Sequence, residues 1–173
     1  MTLFLNISRH GLLAYAIGLL VVVLDQATKA WVLYGLDLPR RLKIELSPVF
    51  DLTMVWNRGM SFGFLGDHGE VSRWGFSVFA VLVAALVAWW ARKADKVSFA
   101  ACLGLLMGGA IGNVIDRIRF GAVVDFLDFS GLWFPWVFNI ADAAITVGAA
   151  LILYEAFWPL LRERLESARV RGN

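Results

Sequence analysis

The sequence predicts an all-α membrane protein, a four-transmembrane-helix bundle with a small extracytoplasmic β unit, in a single domain of 173 residues. Three observations predict it. Hydrophobic residues make up 60% of the chain and charged residues 17%, at a mean hydropathy of +0.69, far outside the range of soluble domains. Four separate stretches stay apolar over about 20 residues, the length that covers a ~30 Å hydrocarbon core at ~1.5 Å rise per residue. Most of the eight tryptophans fall near the ends of those stretches, where amphipathic rings settle at a membrane boundary.

The first span covers about 11–33, apolar to Leu24 and then polar through Asp25-Gln26-Ala27-Thr28-Lys29. Arg9 and His10 precede it as in a signal peptide, yet the apolar pattern resumes at Ala30-Trp31-Val32-Leu33 with no clear small-x-small cleavage site, so a retained helix is expected. Asp25 and Lys29 are one helical turn apart, which predicts an ion pair within or near the membrane. A segment of about 40–66 follows, in which Leu42-Lys43-Ile44-Glu45-Leu46 alternates with period two. Ser47-Pro48 interrupts it and Val49 to Trp56 is rich in strand formers, predicting a β unit that ends in a Gly66-Asp67-His68-Gly69 turn.

The second span, about 74–91, is uncharged. Arg92 to Lys96 makes a tight turn into the third, about 97–115, where Gly104, Gly108 and Gly112 recur at four-residue spacing beside Gly109, a stripe that lets helices approach closely. The segment Arg117 to Phe138 then connects to the fourth span, about 139–158. An even number of spans puts both termini on one side. Placing them in the cytoplasm gathers Arg9, Arg92, Lys93, Lys96, Arg162, Arg164, Arg169 and Arg171 there, half of the sixteen lysines and arginines.

Composition also narrows function. A net charge of +2 with no long basic run argues against nucleic acid as a partner. Cys102 is alone, so no intramolecular disulfide is possible. With His10 and His68 as the only histidines, no HExxH and no Cys/His cluster, neither a histidine-based triad nor a metal centre is expected, and no cofactor is called for. A serine-lysine pairing of Lys29 with Ser61 or Ser130 has nothing in the sequence to bring its members together.

What remains is carboxylate chemistry. Asp125 lies in Val123-Val124-Asp125-Phe126 and Asp142 in Phe138-Asn139-Ile140-Ala141-Asp142, both among apolar neighbours, where an ionised side chain usually marks function. Two carboxylates at one site share a proton, so that one activates water while the other hydrogen-bonds a carbonyl. Asp142 equally suits a helix cap. Asp128 competes with Asp125: the two share a face in a helix and diverge in a strand, and spacing does not choose. Asn113, Asp116 and Arg117 cluster at the end of the third span, and Asn57 reads as a turn residue or an amide donor to substrate.

Five blocks appear in order: Asp25-Gln26-Ala27-Thr28-Lys29; Asn57-Arg58-Gly59-Met60-Ser61-Phe62-Gly63; Gly108 through Arg117; Val123-Val124-Asp125-Phe126; and Phe138-Asn139-Ile140-Ala141-Asp142-Ala143. Together they resemble the lipoprotein signal peptidase (signal peptidase II) family across nearly the whole chain. The resemblance implies an intramembrane aspartyl endopeptidase that cleaves diacylglyceryl-modified prolipoproteins on the amino side of the lipidated cysteine. It places the dyad on Asp125 and Asp142 and assigns supporting or substrate-binding roles to Asp25, Lys29, Asn57, Gly108, Asn113, Arg117, Asn139 and Ala141. It also implies a monomer in the bacterial cytoplasmic (inner) membrane, in contact with membrane lipids, with its site near the outer face and open to globomycin-type inhibitors. Ser61 departs from the alanine more usual in the family. Two other readings of the residues are a small transporter or proton conductor using acids such as Asp25 and Asp142, and a scaffold binding a helix through the glycine stripe.

Overall fold

The computed structural model describes residues 7–59 and 69–171. Four helices, α1 (Arg9–Ala30), α3 (Gly69–Ala91), α4 (Val97–Phe120) and α5 (Ile140–Arg171), form a bundle; α1 is prolonged by a π-helical turn, Trp31–Gly35, and a one-turn helix α2 (Leu38–Arg41). The segments Arg9–Gly35, Arg73–Ala91, Val97–Phe120 and Ile140–Trp158 are each long and apolar enough to cross a membrane. An antiparallel sheet in the order β1-β2-β3-β4, made of Lys43–Ser47, Phe50–Asn57, Val123–Asp128 and Val137–Phe138, lies on the connections at one end of the bundle.

Helix α4 is the centre of the bundle. It packs against α1, α3 and α5, whereas α3 and α5 scarcely touch. Its glycines make the close approach to α1: a Cβ at Gly104 would lie 2.6 Å from the carbonyl oxygen of Ala14, and one at Gly108 would lie 2.5 Å from that of Gly18. Gly109 meets the backbone of Ala141 on α5 in the same way. Van der Waals fit of this kind holds helices together where lipid removes the hydrophobic drive. Gly108→Leu is therefore expected to destabilise the α1–α4 contact by about 1–3 kcal/mol or more, read as a lower thermal midpoint in detergent; an unchanged midpoint would refute the contact's role.

Two apolar clusters hold the ends. At the end with the α3–α4 turn, Ala14, Val87, Ala91, Ala100 and Leu103 are buried together. At the other end Val32, Leu33, Leu38, Leu52, Val124 and Phe126 form a small core between the sheet and the end of α1. Alternation along β3 sends Val124 and Phe126 into this core, so Asp125 points to the opposite face.

The segment expected only to link the third and fourth spans instead supplies β3 and β4, which extend the sheet beyond the 40–66 region. Strand β3 is buried on both faces and does not show the polar alternation that marks a half-exposed strand. Helix α4 continues to Phe120, past the expected end near 115, because Asp116 is satisfied inside the protein. Asn57 is the last residue of β2 and not part of a turn. The expected Gly66–Gly69 turn lies outside the described residues up to position 68, and Gly69 opens α3.

Candidate active site

Asp125 is 1% exposed and accepts hydrogen bonds from Asn139 Nδ2 at 2.6 Å and Asn57 Nδ2 at 2.9 Å. Asn57 reaches it across the β2–β3 pairing, and its own Oδ1 accepts from the backbone N–H of Gly59 at 2.9 Å. Burial first, and the charge of Asp142 second, push the Asp125 carboxyl up to about 7, against the hydrogen bonds of Asn57 and Asn139 and the charge of Lys29.

Asp142 stands in the first turn of α5 and caps it reciprocally with Asn139. The N–H of Asp142 donates to Asn139 Oδ1 at 2.9 Å and the N–H of Asn139 donates to Asp142 Oδ2 at 3.3 Å, a capping-box arrangement. The remaining oxygen, Oδ1, accepts from Asn113 Nδ2 at 2.7 Å. Asn139 Nδ2 also lies 3.2 Å from Asn113 Oδ1. Two asparagines thus join Asp125 and Asp142 in one hydrogen-bonded network.

Asp128 belongs elsewhere. As β3 is a strand, Asp125 and Asp128 diverge: Asp128 accepts from Thr53 Oγ1 at 2.6 Å and from the N–H of Ser130 at 2.9 Å, and these bonds hold its carboxyl below the usual range.

Behind the asparagines lies a buried charge cluster. Lys29 Nζ is 2.8 Å from Asp25 Oδ2 and 2.8 Å from Asp116 Oδ2, so the expected Asp25–Lys29 pair is a triad. Each carboxylate also accepts a backbone N–H next to the site: Ala141 donates to Asp25 at 3.0 Å, and Val124 donates to Asp116 at 3.0 Å. Gln26 donates to both acids, at 3.1 and 2.9 Å. Removing one member of such a buried cluster leaves an uncompensated charge. Asp116 and Gln26 were not assigned from the sequence; position 116, three residues after Asn113, was visible as part of a polar cluster, but its partner is 87 positions away.

Among the other assigned residues, Arg117 extends over the ring of Phe76 on α3, 5.8 Å from its centroid, with Nη1 3.5 Å from the carbonyl of Asn113. Ala141 takes part through its backbone, in the bond to Asp25 and the approach to Gly109. Gly108 faces Gly18 and Val21 of α1, away from both carboxylates. Lys29 is committed to acids and Asn113, and the N–H of Ser130 to Asp128, so a Lys29–Ser130 pair does not form; Ser61 and His68 lie outside the described residues.

A cavity of about 330 Å³ runs from Asn113, Arg117 and Asp142 along Phe76, Phe79, Ala80, Val83, Leu106, Ala110 and Ile145. Its polar end holds Asp142 and its apolar length lies between α3 and α5. From Asn113 to Leu106 on α4 is about 10 Å at ~1.5 Å per residue. The buried carboxylates among the described residues, Asp25, Asp116, Asp125 and Asp128, all belong to the sheet end of the bundle. A conducting path would need acids spread through its depth.

The model of a family described as signal peptidase (SPase) II matches residues 17–158. A lipoprotein signal peptidase of Caulobacter vibrioides is 49% identical over 154 residues, covering 88% of this chain and 91% of that protein. One of Rhodopseudomonas palustris is 45% identical, covering 86% and 92%. A solved bacterial membrane enzyme, determined by the in meso method at 1.9 Å resolution, superposes with a TM-score of 0.69 at 29% identity over 83% of this chain and 91% of that one. The chain belongs to the signal peptidase II family of membrane peptidases.

Proposed function

We propose that this protein removes the signal peptide from diacylglyceryl-modified prolipoproteins by cleaving on the amino side of the lipidated cysteine, with Asp125 and Asp142 as an aspartyl dyad. One observation carries the assignment of roles: two carboxylates from different elements are joined through a single asparagine network, with Asp142 and Asn113 at the polar end of an apolar cavity.

Asp125, raised to about 7, holds the shared proton and donates it to the scissile carbonyl oxygen. Asp142 takes a proton from water, whose oxygen bonds to the carbonyl carbon. The tetrahedral intermediate collapses with rupture of the C–N bond. Asp142 returns its proton to the leaving amine, and Asp125 recovers its own from the hydroxyl that becomes part of the new carboxyl group. The signal peptide enters laterally from the bilayer between α3 and α5, with its apolar part along the cavity and the acyl chains left in lipid. On this reading the sheet faces the exterior of the cytoplasmic (inner) membrane, both termini are cytoplasmic, the protein works as a monomer, and a globomycin-type cyclic peptide blocks the dyad.

The test is incubation of the purified protein in detergent with a lipid-modified precursor, followed by mass spectrometry. A released peptide ending at the residue before the lipidated cysteine, at a rate indifferent to EDTA, is the expected result. No release, release at another bond, or loss on chelation restored by zinc would contradict the scheme.

A further inference from the structure

Lys29 Nζ has three protons and three acceptors: Asp25 Oδ2 at 2.8 Å, Asp116 Oδ2 at 2.8 Å and Asn113 Oδ1 at 3.2 Å. An ammonium only donates, so the Asn113 atom that faces it has to be the oxygen. The amide nitrogen of Asn113 is thereby turned to Asp142, at 2.7 Å. The same oxygen receives Asn139 Nδ2 at 3.2 Å, and this second amide then presents Nδ2 to Asp125 and Oδ1 to the N–H of Asp142. With Asn113 reversed, an amide oxygen would oppose a carboxylate oxygen at that distance, and Asn139 Nδ2, which also donates to the Val124 carbonyl at 3.3 Å, would meet a second amide nitrogen in place of an acceptor.

We propose that Lys29 is a positioning residue that fixes the polarity of the Asn113–Asn139 pair, so that both reacting aspartates meet N–H donors. This goes beyond counter-charge for Asp25 and Asp116, and it rests on the dyad reading above. Lys29 touches no reacting atom: it orients the asparagines by contact, and its charge acts on Asp125 only from a distance. Among the described residues, the charged groups around the dyad are Asp25 and Lys29 from α1 and Asp116 and Arg117 from α4, with Asp125 on β3 and Asp142 on α5.

The experiment compares Lys29→Met/Asp116→Asn, which leaves the cluster's formal charge unchanged and keeps an acceptor for Val124, with Asn113→Asp, which keeps size and the Lys29 contact but removes the donor to Asp142. Cleavage of a lipid-modified precursor is followed across pH with kcat and KM separated. For each variant the expected result is a kcat lower by about ten-fold or more, a KM within about threefold of the parent, and a pH profile displaced to higher pH, since a lost donor or an added negative charge favours the protonated dyad. A wild-type kcat and profile in Lys29→Met/Asp116→Asn would reduce Lys29 to a counter-charge and overturn the proposal. If that double variant does not fold, Lys29→Met/Asp25→Asn, which is charge-neutral in the same way and keeps an acceptor for Ala141, decides: a parental kcat and profile overturn the proposal, and a lowered kcat with an unchanged KM supports it. Asp142→Asn is assayed alongside. Cleavage by that variant would remove the dyad reading itself, whereas its silence beside parental profiles in the other two would remove only the role of Lys29.

Discussion

Asp125→Asn and Asp142→Asn are each expected to lower precursor cleavage by about 10³-fold or more, a loss above about 4 kcal/mol of transition-state stabilisation. The chemistry divides between the two groups, one giving a proton to the carbonyl and the other taking one from water, and an amide can do neither at neutral pH. Because they act as a unit, the double variant should fall no further than either single one. Insertion should survive, since the bundle is held by the α4 glycines and by the apolar cluster at the α3–α4 end, and an amide of the same size leaves Val124 and Phe126 packed on the other face of β3. Activity assays on detergent-purified variants, with helical content as the control, check this; parental turnover in either variant would exclude the dyad.

The second large effect is on pH dependence. Asp125 titrates near 7 in the folded protein, against about 3.9 for a free aspartate, so between those values the native state holds a proton that the unfolded chain has lost. Stability therefore falls as pH rises from about 4 to about 7, by up to about 4 kcal/mol from a displacement of about three units at about 1.36 kcal/mol each. Unfolding measured across this range should show that decline, and Asp125→Asn should flatten it; an equal slope in that variant would contradict the buried, protonated carboxyl. Cleavage should fade above about pH 7, where the shared proton is lost. Asp128 acts in the opposite direction. Its carboxyl is held below the usual range by Thr53 and Ser130, so its contribution is present above about pH 4 and disappears as pH falls through its native value.

Much of this was legible in the chain because lipid simplifies the code. Long apolar runs announced the helices, and Asp25, Asp125 and Asp142 stood out as acids in apolar surroundings. The glycine stripe named the helix face that meets α1. Three features were not legible, each for a physical reason. Strand β3 has both faces buried, one on the small core and one on the asparagine network, so it lacks alternation and read as a connection. Asp116 and Arg117 looked like the end of a span, but a buried ammonium and a backbone N–H satisfy Asp116 within the protein and α4 continues. Spacing alone left Asp125 and Asp128 equivalent until strand geometry separated them. In each case at least one deciding partner lies tens of residues away, such as Lys29 for Asp116, Asn57 for Asp125 and Thr53 for Asp128, and local pattern carries no trace of it.

Coupling between the two aspartates is the claim on which the catalytic scheme stands, and it is open to direct measurement. The carboxyl band of Asp125, isolated by subtracting the infrared spectrum of Asp125→Asn, can be titrated in the parent and in Asp142→Asn. The account predicts a midpoint near 7 in the parent that drops when the charge at position 142 is removed, while burial keeps it above an ordinary aspartate. An identical midpoint in both proteins would show that the two groups do not share a site.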